Sequence, residues 1–403
     1  MKHNFINTSD QPKLVFIAGS PRSGGTVTLA SFDSHPDILC WPFEFLYFSF
    51  FYRIAKGRVK VPAEELNSKI DEEFKTRLPK QLKATNIDYS RDNIKSKAFT
   101  GFNINGFNYQ FFLEYLDRNK SEIVNAAQYL RCLFEALKMS SDQYKNKTVK
   151  YYFLLTTARG IDWKNTEIYE NSFFLFSYRN PEDIYGSLKS KYFKSGKYSL
   201  KACFSLLNKK NFFYWIETFR RIGILLENNR DNKNFMLLPL IDLQKQPDKT
   251  LKKICNFLGV AYKPSLVNLS IIGIVYNGNA NQDNLNNGKI ASKTSKIEVS
   301  LCSFEVQMFN NINVFDPITS NKVLTSSPAF FSLLKNAFNS AFIELPSDKI
   351  FINKNAFRYS FFGRVIIFLN FCGMCLLLKN RRLTKFIIRK YNPHINTMPF
   401  WND

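Results

Sequence analysis

Near the start of the chain a β-rich run, Lys13 to Ala18 (KLVFIA), is followed by the turn Gly19-Ser20-Pro21-Arg22-Ser23-Gly24-Gly25-Thr26 and by a helical pattern from Thr26 to Ser34. Backbone N–H groups at a helix N-terminus, joined by the hydroxyls of Ser23 and Thr26, make a cradle for an anion. The spacing mimics the phosphate loop G-x-x-x-x-G-K-[ST], with one departure. The lysine position is Gly25, and the cation is Arg22, inside the turn. A triphosphatase without that lysine has lost its contact to the outer phosphates, so the pattern favours a nucleotide with a different anionic tail. The competing reading is that the glycines serve turn geometry alone.

A second constellation follows the apolar run Phe173 to Tyr178, which ends in Arg179-Asn180-Pro181. Pro181 suits the first residue of a helix, and Ser187 falls two turns along it. An arginine at a strand end and a hydroxyl on the next helix can hold one phosphate, the first by a charge-assisted fork and the second by a single bond. Taken separately, Arg179 also suits an ordinary ion pair.

The elements that must position these residues alternate in type. Lys150 to Leu155, Phe173 to Tyr178 and Phe235 to Leu240 read as strands bounded by polar turns. Glu182 to Lys194, the amphipathic stretch around Phe212, Ile216, Phe219, Gly223 and Leu226, and Asp248 to Leu258 before Gly259 read as helices. Such alternation predicts an α/β fold, a parallel sheet flanked by helices with ligands at the carboxyl ends of its strands. Trp41 to Tyr52 is almost wholly aromatic and apolar and reads as buried, with Glu44 its only carboxylate. Ala55 to Lys97 is polar and helix-compatible, and Asn277 to Lys296 reads as a loop.

Composition narrows the classes. The 403 residues, 45% hydrophobic and 22% charged, suit a globular protein, and 56 Lys+Arg against 33 Asp+Glu leave a charge of +23. That charge attracts nucleotides, acidic lipid, nucleic acid or acidic sugars without choosing among them, and a compositional bias of the genome explains it equally well. Nucleic-acid binding is disfavoured, because the aromatics cluster in apolar runs instead of interleaving with Lys and Arg. Three histidines argue against a His-rich metal site, and seven scattered cysteines read as reduced core thiols. Cys372 and Cys375 form a C-x-x-C inside the apolar run Val365 to Leu378, with no second pair for zinc. That run falls short of the ~20 residues a spanning helix needs. Flanked by Arg364, Lys379, Arg381 and Arg382, it suits a helix lying on an anionic membrane surface or one packed in a core. No signal peptide or N-terminal anchor is read, so the expected location is cytoplasmic, with peripheral association at the inner membrane face.

Three stretches together resemble one family, the sulfotransferases that use 3′-phosphoadenosine 5′-phosphosulfate (PAPS). Gly19 to Ile38 (GSPRSGGTVTLASFDSHPDI) is similar to the family's 5′-phosphosulfate loop, helix and following turn. Phe174 to Leu188 (FLFSYRNPEDIYGSL) is similar to its 3′-phosphate motif, and Phe235 to Val260 to the strand, acidic-Leu turn, Pro and Phe-Leu-Gly ending late in the fold. Order and spacing agree, and the resemblance spans roughly residues 13 to 310.

The resemblance implies that Arg22, Ser23, Gly24, Gly25 and Thr26 hold the 5′-phosphosulfate, Arg22 also acting in catalysis. Gly25 stands where the family usually has Thr or Ser, so one hydroxyl donor is missing there. Arg179 and Ser187 match the pair that grips the 3′-phosphate, and Lys289, in a loop that resembles the late basic segment, is a further phosphate contact with Lys293 as its competitor. The implied reaction is in-line transfer of a sulfuryl group to an acceptor hydroxyl or amine. Fixed cations and helix-terminal N–H groups stabilise such a transition state, and no metal is expected. Glu44 matches the acidic residue some branches use as general base, and burial among Phe43, Phe45 and Phe48 would raise its pKa. His35 belongs to the His-Pro turn and reads as structural.

The expected organisation is a catalytic domain over 1–315, with 55–148 as a variable, acceptor-selecting insertion, and a helical, basic and apolar extension over 316–403. The preferred acceptor is a carbohydrate or glycolipid. Rival readings are a sulfotransferase-fold protein that binds nucleotide with impaired catalysis, a P-loop kinase, and a basic nucleic-acid or anionic-surface binder.

Overall fold

In a computed structural model of the chain the described residues are 11–19, 23–45, 61–82, 103–104, 106–120, 126–156, 172–186, 223, 226–277, 288–290, 303–311, 326–344 and 361–380. Contacts divide the chain into two units, Met1–Tyr178 with Lys233–Thr294, and Arg179–Asn232 with Ser295–Asp403.

The first unit begins with β1 (Lys13–Gly19), whose residues from Leu14 onward are all buried, as a strand covered on both faces must be. Then come α1 (Gly25–Phe32), β2 (Ile38–Cys40) and α2 (Ala63–Leu82). A short hairpin of β3 (Asn103–Ile104) and β4 (Phe107–Asn108) leads into α3 (Tyr109–Arg118) and α4 (Ala126–Met139). The chain returns to the sheet as β5 (Tyr151–Leu155) and β6 (Phe173–Tyr178). After residues of the other unit it resumes with β7 (Phe235–Pro239), α5 (Leu240–Lys245) and α6 (Pro247–Leu258). The main sheet is five-stranded, in the order β2-β5-β1-β6-β7, and every pairing is parallel. This is the α/β arrangement expected from the alternation, with β1 at its centre.

Local chemistry explains the element ends. Pro247 opens α6, where a missing N–H costs nothing, and Gly259 closes it in the left-handed region at φ 70°. In α2, Leu66, Ile70 and Phe74 recur every fourth residue and are buried, while its Lys, Glu and Asp residues pair along the outer side. Trp41 is the hub of the aromatic core, with Phe43, Phe74 and Phe134 packed edge-on at 5.5, 5.3 and 5.8 Å. Trp41, Phe43 and Phe45 are buried as expected, and the rest of the aromatic run, 46–52, lies outside the described residues. The helix anticipated over 212–226 also lies mostly outside them.

A 3₁₀ turn (Pro264–Val267) and a hairpin of β8 (Ser270–Ile271) and β9 (Ile274–Val275) complete the described part of this unit. In the second unit residues 181–186 are helical. Asn180 Oδ1 accepts from the Glu182 N–H at 3.0 Å, so Pro181 stands where a helix start was expected. It also contains α7 (Ser303–Asn310), α8 (Ser327–Asn339) running on into a π-turn (Ser340–Glu344), and α9 (Phe361–Lys379). Phe304 stacks on Phe371 at 4.4 Å, and Lys379 Nζ sits 4.6 Å from the Phe330 ring centre. After residue 316 the described residues 327–344 and 361–379 are helical, and among the described residues no helix is long and apolar enough to cross a membrane.

Candidate active site

The site grows from the end of β1. Gly19 pairs with Ser177 of β6, and a Cβ on Gly19 would run into the Ser177 carbonyl oxygen while standing 2.7 Å from Ser23 Oγ. Only glycine lets the strand and the turn approach this closely. Gly24 then takes φ 92°, a left-handed conformation, and a Cβ there would collide with the Leu240 side chain at the start of α5. The carboxyl end of β7 therefore props the turn from outside.

Gly24 is the N-cap of α1, its carbonyl accepting from the Thr28 N–H at 3.0 Å. It has no side chain with which to cap the first-turn N–H groups, and that turn contains no acidic residue. No carboxylate of its own first turn offsets the positive end of α1, an arrangement that favours an anion there. Ser23 is buried beside it and Thr26 partly buried on the first turn. Arg22 and Ser187 lie outside the described residues. Arg179 is partly buried and follows Tyr178, the last residue of β6; it belongs to the second unit.

Glu44 reaches the same edge of the sheet by a route the sequence did not show. After β2 the chain continues beside β5, the Trp41 N–H donating to the Phe153 carbonyl and the Phe45 N–H to the Leu155 carbonyl, both at 2.9 Å. Phe43 and Phe45 turn into the core, and Glu44 between them is only half-buried. Its carbonyl accepts from Arg77 Nη1 at 3.2 Å. Phe48 lies outside the described residues.

Lys289 is exposed and bridges to Asn268, next to the β8–β9 hairpin. The turn of that hairpin engages the end of α1 remote from Gly24, for the Ile272 and Gly273 N–H groups donate to the Asp33 carboxylate at 3.3 and 2.9 Å. Lys293 lies outside the described residues.

The remote end of α1 is itself a buried polar joint. Asp33 also accepts from Ser270 Oγ at 2.8 Å and from the Tyr144 hydroxyl. Lys147 Nζ donates to the carbonyls of Asp33, His35 and Ile38 at 3.1, 2.9 and 3.3 Å, the first being the C-cap residue of α1. Burial lowers the Lys147 pKa and raises that of Tyr144. His35 is pinned on both nitrogens, Nε2 donating to the Ala261 carbonyl at 2.9 Å and Nδ1 accepting from the Asp37 N–H at 3.1 Å. Burial holds it neutral by lowering its pKa, and it serves as a strut. Cys375 is buried on α9 and its thiol is pushed up to about 12, so it stays protonated at neutral pH. Among the described residues no cluster of His, Cys, Asp and Glu suits a metal ion.

Sequence reasoning missed two hydroxyls. Thr156, just after β5, and Ser177, in β6, flank the end of β1, and among the described residues neither buried oxygen has a hydrogen-bond partner. Their only trace in the sequence is a polar residue at the end of an otherwise apolar strand.

A central parallel strand that ends in glycine and is followed by a helix N-terminus at the carboxyl edge of the sheet defines an α/β protein. The chain belongs to the Sulfotransferase family, whose profile matches residues 12–264. Solved structures similar to it include the sulfotransferase domain from the curacin biosynthetic pathway, 17% identical over 64% of this chain and 77% of that one, with a TM-score of 0.36. The sulfotransferase domain of the Synechococcus PCC 7002 olefin synthase is also 17% identical, with the same coverages and a TM-score of 0.35. Sulfotransferase STF9 from Mycobacterium avium is 12% identical over 64% of this chain and 66% of that one, with a TM-score of 0.32. No curated protein sequence matches the chain.

Proposed function

We propose that the protein transfers a sulfuryl group from PAPS to a hydroxyl or amine of an acceptor, with a carbohydrate or glycolipid as the preferred class. The observation that carries this reading is the turn between β1 and α1. Gly19 and Gly24 stand where a Cβ would not fit, the first turn of α1 carries no acidic residue, and beside it at the strand ends lie two buried hydroxyls that have no partner among the described residues. Such a group of donors suits the acceptor-only oxygens of a phosphosulfate.

In this reading Arg22, Ser23, Gly24, Gly25 and Thr26 bind the 5′-phosphosulfate, and Arg179 and Ser187 the 3′-phosphate, with Lys289 a further contact. The acceptor oxygen attacks sulfur as the bond from sulfur to the bridging phosphate oxygen breaks. Glu44 takes the acceptor's proton, and adenosine 3′,5′-bisphosphate leaves. Calorimetric binding of that bisphosphate to the wild type and to Arg179→Ala, with ATP and adenosine 5′-monophosphate as controls, tests the donor class. Tight binding that needs the 3′-phosphate and is lost with Arg179 supports it; equal binding of ATP removes it.

One observation favours a second reading, nucleotide binding with impaired catalysis. Leu155 fills the space in which a side chain on Gly25 would have to sit, so the usual hydroxyl is absent from this position. Bisphosphate binding with no sulfuryl transfer to any acceptor in a broad sugar and glycolipid screen identifies that case.

The membrane half of the proposal draws on α9 and its neighbours, where Leu369, Leu376, Phe331 and Ile343 are each more than half exposed and Lys379 closes the helix. Co-sedimentation with anionic vesicles at moderate salt supports a peripheral location, and indifference to them discards it.

A further inference from the structure

Ser177 is 1% exposed, and among the described residues its hydroxyl has no hydrogen-bond partner. A buried hydroxyl left so costs about 1–3 kcal/mol of stability, and such groups persist where something other than folding uses them. Its position says what that use is. Ile17 pairs with Leu175 and Gly19 with Ser177, so by strand alternation these four residues share one face of the sheet. It is the face that α1 covers, since Ile17 Cγ2 lies 3.7 Å from the place of a Cβ on Gly25. Ser177 Cβ is 3.1 Å, and Ser23 Oγ 2.7 Å, from the place of a Cβ on Gly19. The Ser23 hydroxyl and the Ser177 side chain therefore both lie against the residue that ends β1, on the face that α1 covers. A cluster of donors with no acidic residue in the adjacent first turn is matched by an oxyanion.

We propose that the Ser177 hydroxyl donates to the anionic 5′ group of the nucleotide held by the turn, supplying from the neighbouring strand the hydroxyl that Gly25 lacks. The inference rests on the sulfotransferase reading and deepens it. It assigns to the 5′ end of the donor a residue from the stretch that resembles the 3′-phosphate motif.

The test is calorimetric titration of wild type, Ser177→Ala and Ser177→Cys with adenosine 3′,5′-bisphosphate and with adenosine 3′-monophosphate, which lacks the 5′ group, together with thermal unfolding of each unliganded protein. Both variants should bind the bisphosphate about tenfold or more weakly, the effect of losing a hydrogen bond to a charged group, and the 3′-monophosphate as the wild type does. The unliganded Ser177→Ala protein should melt at the wild-type temperature or above it, because an unpartnered polar group has been removed. Unchanged bisphosphate affinity, an equal loss for both nucleotides, or a lower unliganded melting temperature in both variants overturns the assignment. A wild type that binds the bisphosphate no better than the 3′-monophosphate overturns the donor reading itself, and does so without reference to either variant.

Discussion

The Cδ1 methyl of Leu155 lies 2.6 Å from the place a Cβ would take on Gly25, so the two positions form one packing unit. A side chain placed at this point of the turn therefore has to displace Leu155. Gly25→Ser should cost about 1 kcal/mol, the low end for overpacking, since Cδ1 is the free end of a flexible side chain. Leu155→Ala alone should cost about 2–5 kcal/mol, because Leu155 is buried. Combined, they should cost less than their sum by about 0.5 kcal/mol or more. Urea unfolding of the four proteins measures this, and strict additivity would show that the contact has no energetic weight.

Gly24 is constrained twice, by its left-handed backbone at φ 92° and by Leu240. Gly24→Ala should lose about 2 kcal/mol, of which the backbone accounts for about 1–2. Affinity for adenosine 3′,5′-bisphosphate should fall with it, as the turn can no longer hold its shape. Adding Leu240→Ala relieves the collision but not the backbone strain, so it should not restore binding.

Asp33 gathers two side-chain hydroxyls and two backbone N–H groups at the end of α1. Asp33→Ala strands all four donors and should destabilise the protein by roughly 3–5 kcal/mol. Tyr144→Phe removes one donor and leaves the carboxylate three partners, so its cost should be nearer 1 kcal/mol. Equal costs for the two substitutions in denaturant unfolding would contradict this account of the joint.

His35 makes stability depend on pH in a calculable direction. Its folded pKa lies below the ordinary 6.5, with burial the largest cause, so the unfolded chain binds the proton more readily. Its contribution is complete above about pH 6.5 and is lost as the pH falls through that value toward the lower folded pKa. Unfolding midpoints between pH 7.5 and 5.5 should decline in the wild type and decline less in His35→Gln. Parallel curves would assign the pH dependence to other groups.

The strands were readable because a parallel sheet buried on both faces needs continuous apolar runs, and Lys13–Gly19, Tyr151–Leu155 and Phe173–Tyr178 are such runs. Ile38–Cys40 escaped notice because three residues contain no periodicity to detect. The helices Tyr109–Arg118 and Ala126–Met139 fell within a stretch treated only as variable, although Phe112 with Leu116 and Leu130 with Phe134 follow helical spacing and are buried. Glu44 was chosen for its aromatic neighbours, yet alternation along an extended segment sends Phe43 and Phe45 inward and leaves the carboxylate half-exposed.

The sequence by itself determined the fold class, the family and the glycine turn that starts the site. Each of these depends on residues close together in the chain, where turn geometry, helix capping and strand burial act directly. Only the tertiary structure decided that Ser177 lies against Gly19, that Leu155 occupies the space beside Gly25, that Leu240 props Gly24 and that Asp33 ties α1 to the β8–β9 hairpin. Those pairs lie from about 130 to 240 positions apart, and strand register and side-chain packing, which no local pattern encodes, bring them together.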